Sequence, residues 1–205
     1  MKELIKKAEE LLAELKAKET EGMEPVKNQV QLSTLVAGER FKTCIGNFIV
    51  LEQGTNYTKV IQEGFFAEDV KFDFNSLDYT KSELKKKFDI EILEAYEKEF
   101  GADNLIEQKV DLKSVDMQDY GTFNCKVRPI TFDEAREFNQ FLVKEDLPDW
   151  WWTCTPWSTK ERGWEYSVTV VSSRGDFSGC GCFHRSGVRP FCILKSNIFV
   201  SKVEE

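Results

Sequence analysis

Residues 150–201 read WWWTCTPWSTKERGWEYSVTVVSSRGDFSGCGCFHRSGVRPFCILKSNIFVS, and this stretch decides the fold. It contains all five tryptophans and four of the six cysteines of the chain. Residues 166–171 alternate in polarity and are β-branched, which predicts a strand, and residues 188–200 predict a second apolar strand that Pro190 interrupts. The Ser-Ser-Arg-Gly sequence of residues 172–175 predicts a turn. We therefore expect short strands that carry a loop between them.

The predicted loop, residues 176–187, has the composition of a binding surface. It combines charged and aromatic side chains with glycine and serine, as antibody paratopes do, and loops held on rigid strands commonly carry binding residues. Tryptophans nearby in the sequence add flat contact area. The ligand-binding residues that we predict are Trp157, Trp164, Ser173, Arg174, Asp176, Ser178, Phe183, His184 and Arg185.

The chain before residue 150 predicts strands followed by helices. Residues 30–61 have the composition and turn signals of several short strands. Thr80 and Glu83 have the spacing of a capping box and predict a helix that Gly101 ends, and Thr131 with Glu134 predicts a second helix that ends near residue 143. The fold class that follows is a mixed α+β domain over residues 29–205.

The N-terminal segment predicts a separate helix. Apolar residues from Leu4 to Leu15 recur at four-three-four spacing, which is typical of an amphipathic helix over residues 1–21. A helix of this length is marginal alone in water, so its apolar side packs either on its own domain or on other copies of the chain. Gly22 and Pro25 predict a linker, which favours the second alternative. We therefore divide the chain into a helical stalk and linker, 1–28, and a domain, 29–205.

Charge and hydropathy exclude several classes of protein. The formal net charge is −8, and the part from Trp150 onward carries seven Lys/Arg against five Asp/Glu, which leaves −10 for residues 1–149. This acidic part argues against nucleic-acid binding, which needs a basic surface. No apolar run approaches the ~20 residues of a membrane span, and the N-terminus does not resemble a signal peptide. We expect synthesis in the cytosol, no membrane insertion and reduced cysteines.

The sequence predicts no catalytic residue, cofactor or metal site. It contains no phosphate-binding loop, no dinucleotide-binding glycine motif and no zinc-protease helix motif. Cys180, Cys182 and His184 have a spacing that offers three ligands to a soft metal, but no fourth ligand is evident and His184 is the single histidine of the chain. We therefore expect a protein that is not an enzyme.

Three motifs in this order carry a resemblance to a known group of domains. They are Trp-x-Trp-Thr-x-Thr-Pro at residues 150–156, a strand that ends in Ser-Ser-x-Gly, and Gly-Val-Arg-Pro-Phe at residues 187–191. In this combination residues 29–201 resemble a domain family common in phages and prophages of Gram-positive gut bacteria. Those domains resemble the C-type-lectin-like fold that is also used by the variable proteins of diversity-generating retroelements.

The resemblance implies a variable surface over about residues 154–190. Adenine-directed mutagenesis in the retroelements rewrites asparagine codons, and the resulting codons do not encode Lys, Glu, Gln, Met or Trp. Every residue from Ser172 to Gly187 belongs to the permitted set, as a diversified loop requires. The implied function is recognition of a host-surface protein or glycan by a phage or prophage protein, which can be virion-associated.

Two other functions stay open at this stage. The acidic part, residues 1–149, fits an intracellular phage effector that binds a host protein. A formylglycine-generating type of enzyme shares the lectin-like fold and uses a cysteine pair, for which Cys180 and Cys182 would have to serve. Their place inside a variable loop argues against this enzyme.

We predict that the helix over residues 1–21 makes the protein a small homo-oligomer, with a trimer favoured. Light scattering at micromolar concentration should give a trimeric mass for the full chain and a monomeric mass for a chain shortened to residues 29–205. Equal monomeric masses for the two chains would contradict this prediction.

Overall fold

A computed structural model describes residues 28–144, 146–148 and 150–204. The predicted oligomerisation helix, residues 1–21, and nearly all of the predicted linker lie outside the described residues. The described chain has a mixed α+β fold, as predicted. No helix among the described residues combines the length and the apolar character that a membrane crossing requires.

Fourteen strands and four short α-helices follow one another along the described chain. The strands are β1 (Gln29–Gln31), β2 (Arg40–Thr43), β3 (Gly46–Gln53), β4 (Tyr57–Gln62), β5 (Ala67–Lys71), β6 (Gln108–Lys113), β7 (Asp119–Cys125), β8 (Val127–Pro129), β9 (Trp151–Pro156), β10 (Ser167–Val171), β11 (Phe177–Gly181), β12 (Arg185–Val188), β13 (Pro190–Lys195) and β14 (Phe199–Lys202). The α-helices are α1 (Glu83–Lys87), α2 (Leu93–Phe100), α3 (Phe132–Glu137) and α4 (Asn139–Leu142). A π-helical turn, Phe88–Ile92, joins α1 to α2, and 3₁₀ turns lie at Leu32–Thr34, Tyr79–Lys81 and Ala102–Asn104.

The strands form two larger sheets and one hairpin. The first sheet has seven strands in the order β1-β14-β2-β3-β4-β13-β8, and the second has five in the order β11-β10-β9-β12-β5. The hairpin pairs β6 with β7. All pairs are antiparallel except β9 with β12, which run parallel where Gly187 pairs with Trp151.

The helical segment from α1 to α2 covers one face of the seven-stranded sheet. Its buried side chains recur at helical spacing and pack on Phe41, Phe48 and Val60 of the sheet; they are Leu84, Phe88, Ile92, Tyr96 and Phe100. Gly101 ends this segment with φ +83°, as predicted. The predicted start was wrong, because the helix is capped two residues later.

The cap of α1 shows why the predicted start was wrong. The Ser82 hydroxyl accepts a hydrogen bond from the Lys85 amide, as an N-cap residue does. Thr80 instead lies in a 3₁₀ turn, where the Asp78 carboxylate accepts from its amide and its hydroxyl. Because Thr80 makes these two local hydrogen bonds to Asp78, the capping box that the sequence predicted does not form.

Helices α3 and α4 cover the opposite face of the seven-stranded sheet. Ala135, Phe138 and Leu142 are buried there against Ile61 and Phe191. The predicted capping box at the start of α3 is present: the Thr131 hydroxyl accepts from the Glu134 amide, and the Glu134 carboxylate accepts from the Thr131 amide.

A buried ion pair holds the start of α3 against the sheet. Arg128 is 3% exposed, and its guanidinium donates to both carboxylate oxygens of Glu134 at 2.6 and 2.7 Å. Burial alone would raise the pKa of Glu134, but the charge and hydrogen bonds of Arg128, with hydrogen bonds from Thr131, hold that pKa below its usual value. The carboxylate is therefore charged at neutral pH.

The residues predicted to form one strand, 188–200, belong to three strands in two sheets. β12 belongs to the five-stranded sheet, whereas β13 and β14 belong to the seven-stranded sheet. The chain passes from one sheet to the other at Arg189, which is fully buried. Its Nε donates to the Gln62 carbonyl and its Nη1 to the Leu142 carbonyl, both at 2.8 Å.

The Arg189 guanidinium also stacks on the five-stranded sheet. Its central carbon lies 5.2 Å from the ring centroid of Trp151. Burial lowers the pKa of Arg189 to about 10, although the charge of Glu63 opposes this shift, so the side chain remains a cation at neutral pH. The partners of Arg189 are thus two backbone carbonyls and an aromatic ring.

We predict that Arg189→Met lowers the free energy of unfolding by roughly 2–6 kcal/mol, because two buried carbonyls lose their donor and each such loss costs ~1–3 kcal/mol. Urea denaturation measures the change. Arg136→Met is the control, since this exposed side chain pairs with exposed Asp133 and the change should cost less than about 0.5 kcal/mol. Equal stabilities of the two variants would contradict the role of Arg189.

Candidate functional site

The segment predicted as a loop, residues 176–187, is mostly regular structure. β11 pairs with β10 as a hairpin, and β12 follows after a short turn at residues 182–184. Ser172 shapes the hairpin turn, because its hydroxyl accepts hydrogen bonds from the amides of Arg174 and Asp176. Gly175 supplies a φ of +85°, a conformation that favours glycine. The loop prediction was wrong because it gave glycine and serine more weight than the strand pairing that they permit.

Hydrogen bonds at the two ends of the hairpin define how β11 is oriented. The Ser172 amide donates to the Asp176 carbonyl, and the Cys182 amide donates to the Tyr166 carbonyl. Since bonded and non-bonded pairs alternate in an antiparallel ladder, Ser178 and Cys180 are the β11 residues whose backbone groups bond to β10. Their side chains share a face with the buried Val170 and Val168, to which they are paired.

Aromatic rings cover the opposite face of β11, where Phe177, Gly179 and Gly181 lie. A Cβ at Gly179 would lie 2.9 Å from the Trp157 indole, and a Cβ at Gly181 would lie 2.9 Å from the Phe183 ring. The Trp157 and Trp164 ring centroids are 6.5 Å apart. We call this surface the aromatic face; its rings are Phe132, Trp157, Trp164, Phe177, Phe183 and His184.

The rings of the aromatic face form a row that is open to solvent at one end. Phe132 and Phe177 lie 5.0 Å apart and are partly buried, whereas Trp164 and Phe183 are each 47% exposed. The Phe183 and His184 ring centroids are 4.6 Å apart. Neighbouring rings lie against alternate residues of β11, and alternate residues of a strand are ~7 Å apart.

The structure brings together four of the nine predicted ligand-binding residues: Trp157, Trp164, Phe183 and His184. Ser173, Arg174 and Asp176 lie at the hairpin turn. The distance from Asp176 along β11 to Cys182 is roughly 20 Å for an extended chain. Ser178 is directed to the other face of the strand. β11 therefore separates the predicted residues by its length and by its two faces, and their role in ligand binding stays a prediction.

Arg185, the ninth predicted residue, is attached to the neighbouring strand. It donates to the Asp69 carbonyl at 2.6 Å, and its guanidinium lies 3.5 Å from the Asp69 carboxylate. These contacts fix the position of an exposed cation beside the turn at residues 182–184. Its role in ligand binding stays a prediction.

Sequence reasoning missed Phe74 as a neighbour of this surface. The amides of Phe72 and Asp73 both donate to the Cys182 carbonyl, which places the following residue beside the turn that carries Phe183. Phe74 is 68% exposed, and the Lys71 ammonium lies 5.1 Å from its ring centroid. Only tertiary pairing between β5 and β12 brings these distant segments together, so no local signal in the sequence could identify this residue.

Several positions between Ser172 and Gly187 are fixed by packing. Cys182 and Ser186 are buried, and a Cβ at Gly187 would lie 2.4 Å from the Phe65 ring. Tolerance to substitution is therefore restricted to the exposed positions of this segment, which include Arg174, Asp176, Phe183, His184 and Arg185.

The Cys182 thiol and the His184 ring lie in different environments. All six cysteines of the chain have free thiols. Burial raises the pKa of the Cys182 thiol to about 11, so it is protonated at neutral pH, whereas the His184 ring is exposed. Within residues 28–144, 146–148 and 150–204, the structure contains no group of three or more His, Cys, Asp or Glu side chains that could hold a metal ion.

The comparison with family models gives one match. The model of the domain of unknown function DUF6273 matches residues 75–196, which is more than half of the chain, so the chain belongs to this family. The matched part includes β11, the rings of the aromatic face and Arg189. No curated protein matches the chain. No solved structure matches it either.

We predict that Gly187→Ala destabilises the protein by about 1–3 kcal/mol, because the new methyl group would overlap the Phe65 ring in a packed interior. Gly64→Ala is the matched control, since a Cβ at Gly64 meets no atom within 4 Å. Thermal unfolding of both variants measures the difference. A wild-type melting temperature for Gly187→Ala would show that this position can vary.

Proposed function

We propose that this member of the DUF6273 family is a ligand-binding protein of a phage or prophage, with a C-type-lectin-like fold that presents the aromatic face to its ligand. The observation that supports the proposal best is the exposure of Trp164 and Phe183, at 47% each, beside a strand whose two glycines are packed against rings. Exposed aromatic side chains in rows are typical of binding surfaces rather than of solvent-facing strands.

The separation of fixed and exposed positions supports a diversified surface. Ser172, Gly175 and Gly187 maintain the hairpin turn and the interior, and their environments restrict them to small residues. Arg174 and Phe183 project into solvent, where substitutions usually change the free energy of unfolding by no more than about 0.5 kcal/mol. A segment in which exposed residues alternate with fixed ones can change its specificity without losing its fold.

A host-surface protein or glycan is the ligand that we propose. Aromatic rings bind the apolar faces of sugars and the side chains of proteins, and such contacts require no cofactor. The raised pKa of Cys182 disfavours the alternative of a formylglycine-generating type of enzyme, because a cysteine nucleophile acts as the thiolate. The chain would thus act by binding and not by catalysis.

We predict that the triple change Trp164→Ala, Phe183→Ala and His184→Ala reduces binding to host cells at least tenfold, since few residues dominate most interfaces. Arg174→Ala with Asp176→Ala, at the far end of β11, should retain binding to within about threefold. Flow cytometry of labelled protein on a panel of Gram-positive gut bacteria measures binding, and thermal melts report stability.

The control for this prediction is Val36→Ala with Ile90→Ala, which removes exposed apolar side chains elsewhere on the domain. Wild-type binding by the triple variant would overturn the role of the aromatic face. Binding lost only in the Arg174 and Asp176 variant would place the site at the hairpin turn instead.

A further inference from the structure

The outer edge of β11 carries backbone groups that have no strand beside them. β11 is the last strand of the five-stranded sheet. Because Ser178 and Cys180 bond to β10, the amides and carbonyls of Phe177, Gly179 and Gly181 are directed away from it. One of these groups, the Gly181 carbonyl, accepts from the His184 amide. Within the described ranges, no other backbone hydrogen bond reaches this edge.

The other sheet edges in the described chain are protected against pairing, and β11 is not. β5 carries Glu68, Asp69 and Lys71 and has an irregular register with β12. β1 and β8 are only three residues long, and β8 ends at Pro129. Charged side chains, short strands and proline are the devices by which proteins block edge pairing.

The composition of β11 leaves its edge unblocked. Its sequence, Phe-Ser-Gly-Cys-Gly, contains no charged residue and no proline, its register with β10 is regular, and all five residues are partly exposed. The hairpin β6–β7, by comparison, has charged residues on both strands. An edge that is regular, uncharged and accessible is ready to accept another strand.

The rings on the aromatic face hold this edge in an extended conformation. Trp157 lies against Gly179, and Phe183 and His184 lie against Gly181, on the face of β11 opposite to the side chains of Ser178 and Cys180. The outward groups of Phe177, Gly179 and Gly181 therefore recur at ~7 Å along a fixed line. An extended polypeptide backbone matches this spacing of alternating donors and acceptors, and a sugar ring does not.

We propose that β11 binds its ligand by strand addition, with an extended segment of a foreign protein as the added strand. Main-chain hydrogen bonds to Phe177, Gly179 and Gly181 would supply affinity that is independent of sequence, and side chains on the aromatic face would supply specificity. The inference deepens the function proposed above, because it selects a protein rather than a glycan as the ligand.

A second copy of this chain fits the edge less well than a foreign strand does. In an added strand, the residues opposite Phe177, Gly179 and Gly181 would direct their side chains to the aromatic face. If the added strand were β11 of a second copy in a twofold pairing, these residues would be Gly181, Gly179 and Phe177. Two of the three would then have no side chain to pack on Trp157, Trp164 or Phe183. A foreign strand with apolar side chains at alternate positions fills the same space.

The experiment uses the full chain and a defined probe, a nine-residue peptide of alternating valine and threonine with one lysine at each end. NMR of amide hydrogen exchange reports on single backbone groups. Gly179 and Gly181 should exchange rapidly in the free protein and roughly tenfold or more slowly with millimolar peptide. The amides of Ser178 and Cys180, which bond to β10, should be slow in both states.

The variant Gly181→Pro tests the edge directly, because it deletes an outward amide and leaves the bonds to β10 intact. Gly181→Ala is the matched control: it adds the same Cβ, whose nearest atoms belong to the exposed Phe183 and His184 rings, and it keeps the amide. Peptide affinity should fall at least fivefold in the proline variant relative to the alanine variant, as expected for the loss of about one hydrogen bond.

The possible outcomes separate this inference from the proposed function. Wild-type binding to host cells with equal binding by the proline and alanine variants would overturn strand addition and leave the proposed function standing. Protection by the peptide without any binding to cells would support strand addition and count against the proposed function. Slow exchange of Gly179 that depends on protein concentration alone, or no protection by the peptide, would overturn strand addition by a foreign segment.

Discussion

A buried arginine at the crossing between the two sheets is the interaction on which the described fold depends. Between β12 and β13 the chain leaves one sheet and enters the other, and Arg189 is the residue at that point. Its guanidinium closes the last turn of α4 at Leu142, binds the end of β4 at Gln62 and stacks on Trp151 of β9. One side chain thus connects both sheets and the helix that lies between them. Among the described residues, Nη2 of Arg189 and Nε1 of Trp151 have no hydrogen-bond partner. Burial of this guanidinium therefore costs free energy, which its other contacts offset.

The crossing determines where the aromatic face lies. Gly187, two residues before Arg189, pairs with Trp151 and leaves room for Phe65, which fixes β12 against β9. β10 and β11 then follow outward from β9, and a one-residue shift of register would exchange the two faces of each strand. The row of rings is therefore positioned by packing in the interior, although its outermost rings are exposed. Rigid placement of this kind lowers the entropy that a ligand must overcome on binding.

The sequence predicted local features well and tertiary features poorly. The capping box of Thr131 and Glu134 and the terminal glycine at 101 were correct, because each depends on residues a few positions apart. The single strand over residues 188–200 was wrong, since the two halves of an apolar segment cannot be assigned to different sheets from periodicity alone. The loop over residues 176–187 was wrong for a related reason: glycine weakens an isolated strand, but here Trp157 and Phe183 occupy the space that a side chain would fill.

The candidate site shows the same division between local and tertiary information. The sequence predicted Trp157, Trp164, Phe183 and His184 as binding residues by composition, and the structure places their rings on the aromatic face; their role in binding stays a prediction. It could not show that Arg174 lies at the other end of a strand, or that Phe74 arrives from a distant segment through the pairing of β5 with β12. The periodicity of a single segment does not show which distant segment it pairs with.

Strand addition, as proposed here, depends on backbone groups, whereas diversification depends on side chains that can change. The same hairpin can provide both. Backbone amides and carbonyls at an edge are unchanged by substitution, so their contribution to affinity persists whatever side chains are exposed. The side chains that can change, at Arg174 or Phe183, lie at the two ends of β11 and not within it. A ligand segment that pairs with Phe177, Gly179 and Gly181 would therefore meet constant backbone groups along β11 and variable side chains at the end that carries Phe183 and His184. Specificity could then change by substitution at that end while the paired backbone keeps the ligand in register.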